Sequence, residues 1–412
     1  MLTDDLRKIL EVEVVPAVGC TEPVAIALTA AAAMHAAGGV LRRMEIVTGV
    51  GVFKNARAVG IPGTDGVGIE LAAALGAAIA RPEAGMELLA LVTPDVVQTA
   101  NDILREAEVR SEVDLDRAGV YIRCWVETSE AQAAAETIDR HNNVRVVSVN
   151  GAELPAAGCA GGGRRPALRP MGSFRQMVDA IWGAPADSFT FMIDRTLKNL
   201  ELAEYGLATG TGMGIGKCPD LPQGTTASLT AAACDARMSG VQRPVCTCAG
   251  SGNQGISATV PVLSEARARG ASDEVTGRCL ALSCLVTLYI KEYLGLLSPV
   301  CGCAVAAGAG SAAGLVMLGD GGPDACEDAA STVLATLAGM LCDGGKVGCA
   351  MKVWAAVSTA EEAARLALAG CRIPAGNGVV KTGIDETLRV LERVAREGMG
   401  SLDRALVAAM CG

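Results

Sequence analysis

The chain has 412 residues, a net charge of −10, half of its residues hydrophobic and a mean hydropathy of +0.36. That length exceeds one ordinary core and suits roughly two or three domains. The apolar share excludes a disordered chain, and the acidic balance excludes nucleic acid and an anionic membrane surface as partners.

Glycine supplies 50 residues and aromatics only 3 %, so closely packed small-residue helices are expected in the core. The N-terminus, MLTDDLRKIL, is acidic and amphipathic with no apolar signal region. The 16 cysteines are therefore read as mostly free thiols in a reducing compartment, the cytoplasm. His35 and His141 are the only histidines, too few for a His-rich metal site.

In chain order, Thr3 to Ala37 has a helical pattern broken at Val18-Gly-Cys-Thr-Glu-Pro23. Pro23 suits a first helical turn, Thr21 a cap, and Glu22 the positive helix end. A strand is expected over Leu41–Val52, a turn over Gly60–Gly66, a helix over Val67–Ala80 and a strand over Glu87–Val92. Then come a helix (Pro94–Ala107), a strand (Val120–Glu127), a helix (Ser129–His141) and a strand (Val144–Asn150), a small α/β unit. Residues 151–170 read as a linker. Beyond it helices are expected at Phe174–Trp182, Thr190–Tyr205, Pro261–Arg269, Ser272–Leu296, Glu327–Met340, Thr359–Ala369 and Ile384–Glu397. The uncharged stretch Tyr293–Gly319 is long enough for a bilayer, but Pro299 and its glycines make it a buried loop and helix. The expected fold class is α+β: a mainly helical catalytic domain with a smaller α/β unit in the N-terminal region. The layout is 1–93, 94–155 and 170–412.

Two glycine patterns suggest nucleotides. In Gly210–Lys217 the first glycine of a P-loop falls at Thr211, and Cys218 stands where Ser or Thr is needed. Gly250-Ser-Gly-Asn-Gln-Gly255 lacks a convincing preceding strand, and reads better as a polar loop for a small anion. Cys301-Gly-Cys303 and Cys342-Asp-Gly-Gly-Lys-Val-Gly-Cys349 are candidate ligands of an iron–sulfur cluster or else buried structural thiols. Gly344, Gly345 and Gly348 would let the backbone wrap a cluster. Cys279, Cys284, Cys326 and Cys371 are read as core. Cys20 sits at a helix N-terminus, a position that favours thiolate. Lys54-Asn55 follows the strand and can meet a carboxylate, or be a solvated loop.

Together Gly19-Cys-Thr-Glu-Pro23, Phe53-Lys-Asn55 with Gly60-Ile-Pro-Gly-Thr64, Gly250–Ile256, Cys301–Gly308 and Cys342–Cys349 resemble the L-cysteine desulfidase family, relatives of the iron–sulfur L-serine dehydratases. The resemblance runs from about residue 5 to 400. It implies an oxygen-sensitive four-iron four-sulfur cluster with one open iron, no pyridoxal phosphate, and a small amino acid as substrate. The implied reaction is β-elimination of L-cysteine to pyruvate, ammonia and hydrogen sulfide. Cys342 and Cys349 fall on the last two ligands. The first is Cys301 or Cys303, with Cys301 preferred for its distance to Gly314-Leu315. Cys20, flanked by Thr21 and Glu22, falls on the catalytic base. Lys54, Asn55, Ser251, Asn253 and Gln254 would hold the amino and carboxylate groups. Alternatives are an L-serine or L-threonine dehydratase with the same cluster, and a non-enzymatic redox sensor closed by Cys303 as fourth ligand. A homodimer stays open.

Overall fold

The computed structural model describes residues 2–154, 167–222 and 224–411, so most of the expected 151–170 linker lies outside the described residues. Helix α1 (Leu2–Glu13) leads through β1 (Pro16–Val18) to α2 (Thr21–Ala37), β2 (Leu41–Gly49), α3 (Val50–Ala56), α4 (Ile69–Ile79) and α5 (Pro94–Glu106). Strands β3 (Glu108–Asp114), β4 (Tyr121–Thr128), β5 (Gln132–Ile138), β6 (Val144–Val149) and β7 (Ala152–Glu153) follow. The remainder is largely helical: α6 (Phe174–Trp182), α7 (Phe191–Thr209), α8 (Thr226–Met238), then β8 (Pro244–Cys246), α9 (Gly252–Arg269) and α10 (Asp273–Leu294). It ends in α11 (Gly302–Leu318), α12 (Pro323–Leu337), α13 (Cys349–Leu368), α14 (Ile384–Arg393) and α15 (Leu402–Cys411). The fold is α+β.

One sheet runs β3-β2-β4-β5-β6-β7, with β2 and β3 parallel and its other pairs antiparallel. Its buried face aligns Met44 with Val126 and Ile46 with Cys124, then Cys124 with Ala135. Helix α2 covers that face and is itself covered by α4. Val24 to Ala33 are all buried, so α2 shows no amphipathic stripe. A Cβ on Gly76 of α4 would lie 2.0 Å from the Ala27 carbonyl oxygen. The two backbones touch there. Gly76→Ala is expected to destabilise the fold by at least the roughly 1–3 kcal/mol of an overpacked core. A lower denaturant midpoint at unchanged slope would report this; an unchanged midpoint would remove the backbone contact as the reason for glycine.

Around the second core, α11 is the central helix, buried among α9, α10, α12 and α13. Its small residues permit this: a Cβ on Gly310 would meet the Ser283 carbonyl oxygen at 2.3 Å. Among the described residues no helix is long and apolar enough to cross a membrane. Helix α1 packs into this helical core, and β1 pairs antiparallel with β8.

Several expectations are corrected. Ser129–His141 is not a helix: Ala133, Ala134 and Ala135 lie in β5, where pairing to β4 and β6 overrides alanine's helical preference. Glu87–Val92 is not a strand but belongs to a 3-10 segment, Pro82–Leu91, with adjacent Leu88 and Leu89 both buried. The strand expected to Val52 ends at Gly49, and α3 begins. Pro261 lies inside α9, which starts at Gly252. Helix α13 starts ten residues before the expected Thr359. Helices α8 and α15 and the charged strand β3 were not expected. The sheet takes β2 from before residue 94 and β3 to β7 from after it.

Candidate active site

The chain turns into α2 at Cys20, whose extended backbone makes it the residue before the first helical turn. Thr21 is therefore not the cap but the first helical residue. Its hydroxyl donates to Glu22 Oε2 at 3.0 Å. Cys20 Sγ donates to the same oxygen at 3.1 Å. Asn55 Nδ2 donates to Glu22 Oε1 at 3.0 Å, and His141 Nε2 faces that oxygen at 3.6 Å. Burial alone would raise the Glu22 carboxyl; the neighbouring His141 ring, with the Cys20 thiol, brings it down to about 2. Burial, then the Glu22 charge, push the Cys20 thiol far above its ordinary value. The expected helix-end thiolate is thus corrected: desolvation beside a carboxylate outweighs the helix terminus, and Cys20 is a thiol donating to an ionised Glu22.

Lys54 and Asn55 are not in a solvated loop. Both are buried on α3, on opposite tasks. Asn55 meets Glu22. Lys54 Nζ donates to Cys342 O at 2.9 Å, to Asp403 Oδ1 at 2.7 Å and to Ser298 O at 3.4 Å. Those contacts use every donor of an ammonium. Lys54 therefore does not take the expected place beside a substrate carboxylate; it ties α3 to the Cys342 segment and to α15.

The polar run Ser251–Gln254 is the start of α9, not a loop. Ser251 accepts the Gln254 N–H at 3.5 Å, and Asn253 and Gln254 are buried in the first turn. Gln254 Oε1 is buried without a hydrogen-bond partner. The other glycine-rich run receives a carboxylate of the chain itself: Asp235 accepts the N–H groups of Met213, Gly214 and Ile215 at 2.9, 3.1 and 3.3 Å.

The cysteine segments meet through a backbone bridge. Val300 pairs antiparallel with Leu341, Cys301 N donates to Met340 O at 2.8 Å, and Cys342 N to Pro299 O at 2.7 Å. Cys349 opens α13, its N–H on Lys346 O at 2.9 Å. Gly344 and Gly345 line the thiol cavity and also touch α3. A Cβ on either would lie 2.0 Å from Lys54 O or 2.7 Å from Asn55 O, so they press the cysteine loop onto α3. Cys303 stands on the first turn of α11 and hydrogen-bonds the Cys301 thiol, which draws Cys301 down; the Ala304 N–H and Lys352 act in the same sense against burial. Cys279, Cys284 and Cys326 are core residues. Cys371 is exposed, because α13 has ended before it.

One cavity is lined by Cys301, Cys303, Cys342 and Cys349 together with Cys20, Glu22, Asn55, Ser251, Asn253 and Gln254. Thr21 and Lys54 do not line it; Thr21 faces a neighbouring cavity. Three residues of its wall, His141, Arg237 and Lys291, were missed in the sequence. His141 sits in the turn between β5 and β6, where no local pattern marks it; Arg237 and Lys291 look like ordinary helical cations. Burial holds the Lys291 ammonium down to about 8, against the pull of the nearby thiols. Among the described residues no three His, Cys, Asp or Glu groups converge as a single metal ion requires. Four thiols lining one cavity, with the unpartnered Gln254 oxygen beside Gly302, fit an iron–sulfur cluster instead.

The family described as serine dehydratase alpha chain matches residues 83–408, a span that holds the cysteines and Ser251–Gln254 but not Cys20 or Asn55. Full-length likeness extends to UPF0597 proteins. Those of Desulfatibacillum aliphaticivorans and Clostridioides difficile are 34 % identical, covering 98 % of this chain and 97 % and 98 % of their own. That of Nitratidesulfovibrio vulgaris is 36 % identical, covering 98 % of each. With most of its length matched, including Cys301, Cys303, Cys342 and Cys349, the chain belongs to the serine dehydratase alpha chain family.

Proposed function

We propose that this chain is a carbon–sulfur lyase that eliminates hydrogen sulfide from L-cysteine, leaving pyruvate and ammonia. The reading is supported by one observation above others: the four thiols share a cavity with the Cys20–Glu22–His141 array. Cys301, Cys342 and Cys349 would hold a four-iron four-sulfur cluster. Cys301 is preferred over Cys303 because its backbone is tied to the Cys342 segment through Met340 O and the Val300–Leu341 bridge. Such a cluster with one open iron supplies a Lewis acid for the charge that develops on the substrate.

The chain's own residues do the rest. Cys20 takes the Cα proton after passing its own thiol proton to Glu22, the oxygen to which it already donates. Asn55 fixes the Glu22 carboxylate, and Ser251, Asn253 and Gln254 present a polar wall to the amino and carboxylate groups. The buried walls exclude water while the bond breaks.

A second reading, L-serine or L-threonine dehydratase, is favoured by the family match itself and differs only in the leaving group. A closed redox-sensing cluster with Cys303 as fourth ligand leaves the Glu22 array without a task. Anaerobic purification with iron and sulfide, followed by parallel assays of L-cysteine, L-serine and L-threonine, is the test. Fastest pyruvate release from L-cysteine is expected. Faster release from L-serine would move the assignment to a dehydratase, and no turnover of any of them would end the lyase reading.

A further inference from the structure

Arg237, near the end of α8, is 2 % exposed, and among the described residues no carboxylate pairs with it. Nη1 donates to Asn253 Oδ1 at 2.9 Å and Nη2 to the Gly19 carbonyl at 2.8 Å, while Nε has no partner. A guanidinium carries five N–H donors, so more than half remain unused. A buried cation met only by neutral oxygens is costly unless an anion joins it. The side chain is also fixed in place. A Cβ on Gly252 would lie 2.4 Å from Nε and 2.6 Å from Cζ, so the first residue of α9 rests against the guanidinium.

Of the other charges of the cavity, one is held by several partners and the other stands near the thiols. Glu22 is held by Cys20, Thr21, Asn55 and His141. Lys291 Nζ is on Ser298 Oγ at 3.3 Å and stands on the side of Cys342, Cys303 and Cys301. Arg237 acts at Cys20.

We propose that Arg237 binds the α-carboxylate of the substrate on the Cys20 side of the cavity, through the paired hydrogen bonds that suit a guanidinium. The inference rests on the amino-acid lyase reading and narrows its substrate class to amino acids with a free carboxylate.

The test uses ligands without a leaving group. Binding of L-alanine and L-alaninamide is measured by calorimetry on the anaerobically reconstituted wild type, Arg237→Gln and Arg237→Lys. The wild type is expected to prefer L-alanine by about ten- to a hundredfold, the worth of charge-assisted hydrogen bonds. Arg237→Gln loses that preference through L-alanine alone, and Arg237→Lys keeps part of it. Equal loss of both ligands would make Arg237 a brace for Gly19 and overturn the proposal, as would an unchanged preference. If circular dichroism shows both variants unfolded, the Nε resonance of ¹⁵N-arginine-labelled wild type decides. A shift with L-alanine but not with L-alaninamide supports the assignment, and none overturns it. Wild type that binds L-alanine through Arg237 yet eliminates nothing upholds this assignment and ends the lyase reading.

Discussion

Cys342→Ala and Cys349→Ala are each expected to abolish both turnover and the brown iron–sulfur chromophore, whereas Cys279→Ala keeps both. The contrast is positional. Cys342 and Cys349 face the cavity from a loop pressed onto α3 through Gly344 and Gly345. Cys279 is fully buried in the helical core on α10. Loss of a cluster ligand removes the cofactor and the chemistry it supplies together. Loss of a core thiol removes a small hydrophobe and costs stability alone. Iron and sulfide content of the purified variants, with their visible spectra, is the measurement. Full iron occupancy in Cys342→Ala would sink the ligand assignment.

Cys20→Ser should keep the cluster while turnover falls by about a hundred- to ten-thousand-fold, the usual worth of a general base. Glu22→Gln should fall comparably, because the proton leaving Cys20 then meets a neutral amide. Deuterium exchange at Cα of L-cysteine reads the proton step directly. Exchange at the wild-type rate in Cys20→Ser would clear Cys20 of the role, and loss of iron would make it a ligand instead. The pH dependence carries a sign. Glu22 has its folded value depressed to about 2, below the ordinary glutamate value of about 4.3. Its contribution to stability is therefore fully present above that ordinary value and is lost as pH falls toward about 2. An acid limb of turnover above about pH 5 that disappears in Glu22→Gln would contradict this assignment.

The helical half was legible where local signals agree. The expected helix Phe174–Trp182 has those ends in the structure, where Ser173 caps it in a capping box with Gln176. The uncharged run after Tyr293 was readable as a buried helix because glycines too frequent for lipid contact mark close backbone approach. The β5 segment was not legible. Its alanines favour a helix, and only the strands on either side make it a strand. Helix α8 was missed because nearly all of it is buried and it presents no apolar stripe.

At the candidate site the sequence alone determined which thiols and which polar runs to examine, and the cavity gathers most of them. The tertiary structure decided what each can do. It made Cys20 a thiol and not a thiolate, engaged Lys54 on Asp403 from the far end of the chain, and brought His141, Arg237 and Lys291 to the wall. The physical reason is range. Caps, helix propensity and turn glycines act over a few residues and can be read locally. Protonation and donor availability depend on burial and on partners far away in the chain, as Lys54 does on Asp403, and these exist only once the chain has folded.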